Sequence, residues 1–218
     1  MVERFELYGY WRSSAAYRVR IALNLKGLEY EQVPVHLARD GGEQHRPQFH
    51  EISPQAQVPV LRHGARLIRQ SMAIIEYLDE VHPAPPLLPA VSRDRARVRA
   101  LAMAVACDIH PLNNLRVTRY LERELGANEA QRLAWMQHWM ALGLEGLEAQ
   151  VADHPSTGDF CEGETPTLAD CCLVPQLYNA RRYGMDLTAW PTLLRIEANC
   201  MALAAFQDAA PEAQPDAP

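Results

Sequence analysis

The spacing of apolar positions along the chain changes near residue 90. Before that point, short alternating runs are interleaved with helical periods. Phe5 and Leu7 in FELYGY alternate as in a half-buried strand over 5–8. A helix is predicted over 15–26, closed by Gly27 at the position where a left-handed backbone favours glycine. YEQVPV reads as a second strand, VPVL as a third and, after a turn at Arg62-His63-Gly64, residues 66–68 as a fourth. Ile74, Ile75, Leu78 and Val81 recur along one helical face, predicting a helix over 71–81 that Pro83 ends. The order is β-α-β, then β-β-α. PAPPLLPAV is proline-rich and extended, which suits a linker. The pattern therefore predicts a mixed α/β domain over 1–83, a linker over 84–92 and an all-helical domain over 93–206. The tail over 207–218, QDAAPEAQPDAP, carries few groups able to pack and is expected to be flexible.

Composition narrows the class. With 218 residues, 48% of them hydrophobic and 22% charged, the chain has enough apolar material for a sizeable core. Its formal charge of -6, with acids and bases interleaved, argues against a nucleic-acid surface, which needs a basic patch to neutralise phosphates. An anionic ligand must meet a local cluster of arginines instead. No run approaches the roughly 20 apolar residues of a membrane span, and MVERFELYGYW is charged from the start, so a cytoplasmic protein without membrane contact is expected. The five cysteines, Cys107, Cys161, Cys171, Cys172 and Cys200, lack metal-ligand spacing, which predicts reduced core thiols and no metal site. None lies in the predicted α/β domain over 1–83, so a dithiol mechanism there is excluded and any reactive sulfur must come from a ligand.

WRSSAAYRV gathers two hydroxyls, Ser13 and Ser14, where a helix begins. The first N–H groups of a helix are unpaired and its dipole is positive there, so this position can hold an anion, or a serine can simply cap the helix. Gln70-Ser71 before the later helix has the same two readings, a cap or a carboxylate seat. Pro59 in Gln57-Val58-Pro59-Val60 is either an ordinary residue at the start of a strand or a cis proline. Arg12 and Arg182 are either solvated or paired with a carboxylate, to which a guanidinium offers two parallel hydrogen bonds. Arg181 is expected to point to solvent, and Arg18 to brace the first helix or its preceding loop. Thr167-Leu168-Ala169-Asp170 has the spacing of a helix-capping pair, which assigns Asp170 to folding and not to proton transfer.

The blocks WRSSAAYRVRIALNLKG, SPQAQVPVL, RLIRQSMAIIEYLDE, PPLLP, CDIHPLNNL, TPTLADCCLVPQ and ARRYGMDLTAWP occur in the order and at the spacing of the zeta-class glutathione transferases. The chain resembles that family, which includes maleylacetoacetate and maleylpyruvate isomerases, over nearly its whole length up to the tail. The resemblance implies a thioredoxin-like glutathione-binding domain, an all-helical substrate domain behind it, and a homodimer with each glutathione site near the subunit interface. The apolar faces 74–81 and 101–105, which one small domain need not cover, point the same way. The resemblance also implies that Ser14, with Ser13 as a second ligand or the cap, holds the glutathione thiolate. It implies that Gln57, Val58 and a cis Pro59 present backbone groups to the cysteinyl part, and that Gln70 and Ser71 hold the γ-glutamyl group. Gln44, His110 and Asn114 match further glutathione contacts, with a packed structural role as the other reading of His110. Arg12 and Arg182 match contacts to a substrate carboxylate.

One departure bears on mechanism. The family pattern Ser-Ser-Cys-Ser reads here Ser13-Ser14-Ala15-Ala16, so the family's cysteine has no counterpart. The implied activity is a glutathione-dependent cis–trans isomerisation of an unsaturated diacid, maleylacetoacetate or maleylpyruvate, in the catabolism of aromatic compounds, by reversible addition of the thiolate to the cis double bond. Two alternatives stay open at this point: a general transferase or peroxidase acting on small electrophiles, and a non-catalytic protein that binds glutathione or another ligand.

Overall fold

The computed structural model describes residues 4–218. They form two compact units, one running up to Leu87 and completed by Met201–Pro218, the other spanning Leu88–Cys200.

The first unit is built on β1 (Phe5–Gly9), α1 (Ser14–Leu25), β2 (Tyr30–Pro34), α2 (Pro47–Ile52), β3 (Val60–His63), β4 (Arg66–Arg69) and α3 (Ser71–Val81). The sheet has four strands in the order β2-β1-β3-β4. β1 runs parallel to β2, with Phe5 beside Tyr30, and antiparallel to β3, with Phe5 beside His63. β3 and β4 are antiparallel. This is the β-α-β, β-β-α order that the alternation predicts, in the thioredoxin-like arrangement that the resemblance implies. Tyr8, Val35, Phe49 and Val60 form a core cluster joined by Val33, Ile52, Val58 and Leu67. α1 packs against α3 and is buried along most of its length, including Arg18 and Arg20. Its end follows from Gly27, whose φ of +62° lets Leu28 N–H reach back to the Leu23 carbonyl at 3.0 Å.

Two features differ from the pattern's predictions. Between β2 and β3 lie α2 and two 3-10 turns, Arg39–Gly41 and Glu43–His45, each too short to show a helical period. The tail expected to be flexible is packed. α9 (Ala204–Gln207) lies on α1, and Phe206, Ala209 and Pro211 are buried. Polar groups of the first unit reach the segment's backbone: Asn24 Nδ2 donates to the Ala205 carbonyl at 3.1 Å and Arg20 Nε to that of Ala209 at 2.9 Å. Few apolar side chains are needed when buried polar groups satisfy the backbone in this way.

The second unit contains α4 (Ser92–Met103), α5 (Leu115–Arg123), α6 (Glu129–Val151), α7 (Leu168–Arg182) and α8 (Pro191–Met201). A π-helical turn, Ala104–Ile109, and a 3-10 turn, His110–Asn113, join α4 to α5. The cap read at Thr167 is present: Asp170, fully buried at 0% exposure, accepts from Thr167 N–H at 2.7 Å, Thr167 Oγ1 at 2.8 Å and Cys161 N–H at 2.9 Å. Burial pushes its carboxyl up from the usual range, and these donors oppose the shift. Cys161, Cys171, Cys172 and Cys200 are buried, but Cys107, on the π turn, is exposed, contrary to the prediction of core thiols throughout. The apolar faces invoked for a dimer are largely covered within the chain itself: Ile74, Ile75, Leu78, Leu101 and Val105 are buried, leaving Val81 (42% exposed) and Met103 (43%). Among the described residues no helix is long and apolar enough to cross a membrane, and no group of three or more His, Cys, Asp or Glu could hold a metal ion.

Candidate functional site

The turn Tyr10–Ser13 links β1 to α1 and is closed by the Ser13 N–H on the Tyr10 carbonyl at 2.9 Å. Ser13 is the N-cap, its Oγ accepting from Ala16 N–H at 3.2 Å. The hydroxyl of Ser14, buried at the first helical position, makes no hydrogen bond among the described residues. The two readings of this serine pair therefore divide between its members, one capping and one uncommitted beside the positive end of α1.

Ser71 does not cap α3. It is the first helical residue, after Gln70 in a left-handed conformation (φ +72°), and its Oγ accepts from Arg18 Nη1 at 3.2 Å. Arg18 is only 2% exposed, so the predicted brace is a buried guanidinium that ties α1 to the start of α3. With one lone pair of Ser71 taken by Arg18, the hydroxyl hydrogen is directed to a different acceptor, and the unpaired N–H groups of α3 lie beside it. The Gln70 amide donates to Gln55 Oε1 at 3.3 Å.

Val58-Pro59 is a cis peptide. The loop before it is held by Ser53, whose hydroxyl donates to the Gln57 carbonyl at 2.8 Å and accepts from Gln57 N–H at 3.2 Å. Gln44 lies in the second 3-10 turn, 4% exposed, and its Oε1 has no hydrogen-bond partner among the described residues. An unpaired buried amide oxygen calls for a donor. Gly42 makes room for this side chain, since a Cβ there would run into the Gln44 amide. Arg12 is exposed, with its guanidinium 5.2 Å from the centre of the Trp11 ring.

The remaining residues singled out by sequence belong to the second unit. His110 opens the 3-10 turn after the π segment. Asn114 caps α5, its Oδ1 accepting from Arg116 N–H at 3.1 Å. At the end of α7, Arg182 lies over the Tyr183 ring at 4.3 Å and donates to Asn179 Oδ1 at 3.3 Å. Arg181 does not simply point to solvent: it forms a two-pronged ion pair with Glu197, a residue of α8 whose side chain is largely buried. That pairing raises the Arg181 pKa above its ordinary value.

Sequence reasoning passed over Gly42 and Asp216, whose carboxylate accepts from Trp11 N–H at 2.9 Å. Gly41-Gly42 marks a turn but does not reveal what the second glycine leaves room for. Nothing local links residues that lie 205 positions apart.

Residues 7–86 match the family model of the glutathione S-transferase N-terminal domain. The chain is 52% identical over 211 residues to a probable maleylacetoacetate isomerase of Vibrio cholerae serotype O1, covering 97% of each chain. Among solved structures, it is similar to a holo maleylpyruvate isomerase described as a bacterial zeta-class glutathione S-transferase (TM-score 0.95, 49% identity, 98% of this chain and 100% of the other). It is also similar to a maleylacetoacetate isomerase from Methylobacterium extorquens AM1 solved with malonate and glutathione bound (TM-score 0.94, 43% identity, 98% and 99% coverage).

Proposed function

Since this chain belongs to the zeta-class glutathione S-transferases, we propose that it is a cytoplasmic, homodimeric, glutathione-dependent isomerase that converts a cis-unsaturated diacid, maleylacetoacetate or maleylpyruvate, to its trans form. The observation that carries this reading is the division of labour at the start of α1, where Ser13 is spent on the cap and Ser14 keeps its hydroxyl for a ligand. The relatives named as isomerases of these two diacids, and the relative solved with glutathione and the diacid malonate, support the same reading.

The residues present fit glutathione. Gln44 Oε1 is a buried acceptor in need of a donor such as an amine or amide. The first N–H groups of α3 and the Ser71 hydroxyl, set by Arg18, suit a carboxylate. Val58 lies outside the sheet ladder, where its backbone groups can pair with a peptide-like ligand. When bound, glutathione supplies the thiolate that adds to the cis double bond, allows rotation and leaves again. A free thiol has a pKa of about 8.5, so the protein's task is to favour the ionised form. The Ser14 O–H would donate to that sulfur, and the positive end of α1 would add a fixed dipole at no reorganisation cost. Arg12 and Arg182 serve the substrate, each guanidinium suited to a carboxylate and to the negative charge that develops on the substrate ketone oxygen. The protein supplies no nucleophile of its own, which agrees with Ala15 at the position of the family's cysteine.

The test is steady-state turnover of both diacids with catalytic glutathione. Trans product with the thiol concentration unchanged is expected. Turnover that consumes glutathione stoichiometrically would instead support a conjugating transferase.

A further inference from the structure

The segment after α9 reaches the turn that carries the serines. Within that turn Trp11 is bonded through both of its main-chain polar groups: its N–H donates to Asp216 Oδ2 at 2.9 Å, and its carbonyl accepts from Arg20 Nη2 at 2.9 Å. Arg20 is buried, and its Nε holds the Ala209 carbonyl at 2.9 Å, so one guanidinium grips both the turn and the C-terminal segment. That segment is fastened again at Gln214, which is buried, donates to the Asp208 and Ala210 carbonyls at 2.9 and 2.7 Å, and accepts from Gln32 Nε2 at 2.6 Å. Asp216 is therefore delivered by an ordered piece of chain. Its carboxylate is also close enough to Arg20 to oppose part of the desolvation that lowers the arginine's pKa to about 10.

We propose that Asp216 is a positioning residue for the glutathione thiolate: by holding the Trp11 N–H, the C-terminal segment sets the Tyr10–Ser13 turn and hence the direction of the Ser14 hydroxyl. This rests on the reading of Ser14 given under Proposed function. The local restraints on the turn gather at Ser13, whose N–H donates to the Tyr10 carbonyl, whose carbonyl accepts from Tyr17 N–H and whose hydroxyl caps Ala16. Tyr10 anchors the start of the turn, buried and in ring contact with Trp11 and His36, whereas Arg12 is exposed, so the Trp11 peptide groups are fixed chiefly by their hydrogen bonds to Asp216 and Arg20. A charge-assisted bond to a carboxylate is stronger than a neutral one and directional, and a hydroxyl that stabilises a thiolate must be held to within roughly 0.5 Å of its working position. The carboxylate cannot come from nearby in sequence, since residues 10–19 contain no acid.

Four forms of the protein test this: unsubstituted, Asp216→Ala, Asp216→Asn, and a chain shortened to end at Pro215. Thiolate absorbance of bound glutathione is titrated against pH, glutathione affinity is read by calorimetry, and kcat is measured at saturating glutathione. Trp11 amide hydrogen exchange reports on the turn without any ligand. For Asp216→Ala and the shortened chain, faster Trp11 exchange, a thiolate titration moved to higher pH, and a fall in kcat of about 3- to 10-fold, the scale of one hydrogen bond, are expected. Glutathione affinity should change by less than about 3-fold, because γ-glutamyl binding is placed at α3. Asp216→Asn, which keeps an acceptor oxygen, should recover most of the effect. Faster exchange with an unchanged titration curve and kcat would reduce the segment to a structural strap and overturn the proposal. Absence of any thiolate signal in the unsubstituted protein would sink the glutathione reading itself, and this inference with it.

Discussion

Two hydroxyls side by side at the start of a helix are equivalent in a sequence and unequal in a structure. Ser13 has the extended backbone of an N-cap and spends its oxygen on Ala16 N–H, whereas Ser14 is already helical and cannot reach back in the same way. Ser14→Ala should therefore leave the fold intact and raise the pKa of bound glutathione by about one to two units, the equivalent of a hydrogen bond to a charged group worth roughly 1.5–3 kcal/mol. Ultraviolet titration of the thiolate reads this directly, and an unmoved curve would take Ser14 out of the mechanism. The adjacent arginines of α7 divide in a similar manner. Arg181 is committed to Glu197, so Arg181→Ala should lower the melting temperature by leaving a largely buried carboxylate with its partner gone, while folded enzyme keeps its kcat/KM. Arg182 is oriented by Asn179 and Tyr183. Arg182→Ala should cost roughly 30- to 150-fold in kcat/KM and leave calorimetric glutathione affinity unchanged, with Arg182→Lys recovering only part. Equal losses in affinity and turnover would refute the substrate role.

Among the elements, the segment between α4 and α5 departs furthest from regular helix. A π turn widens the backbone at Ala104–Ile109 before the chain tightens into the 3-10 turn that begins at His110. α6 makes room for it with Gly143, where a Cβ would collide with Cγ1 and Cδ1 of Ile109. Gly143→Ala should destabilise the protein by about 1–3 kcal/mol through overpacking, visible as a lower denaturant midpoint. Ile109→Ala removes both clashing atoms, so Gly143→Ala should cost much less in that background, and equal costs in the two backgrounds would contradict the close approach. The long periodic helices and the alternating strands were legible in the sequence because their spacing is a local property: α3 spans Ser71–Val81 as the apolar stripe predicts. The π turn, the 3-10 turns and α2 were not, because segments this short have no period to read.

For the whole molecule, the apolar faces that suggested a partner are mostly buried within the chain, so the proposed dimer rests on family membership. Light scattering at micromolar concentration is expected to give twice the 24.5 kDa chain mass, and a monomeric mass would refute it. The sequence by itself determined the order of the four strands with the helices after β1 and β4, and the absence of any cysteine from the first 106 residues. It also determined the family, since seven blocks in register carry more information than any single motif. These follow from local periodicity, backbone chemistry and residue identity. Only the tertiary structure decided which serine caps α1, that Ser71 is held by Arg18 and does not cap α3, that Arg181 is engaged by Glu197, and that a polar tail is packed against α1 and the Tyr10–Ser13 turn. Each of these depends on a hydrogen bond or ion pair whose partners are brought together by folding. A hydroxyl, a guanidinium or a carboxylate carries the same chemistry in either role, and what it does is settled by which donor or acceptor the packed backbone places within reach.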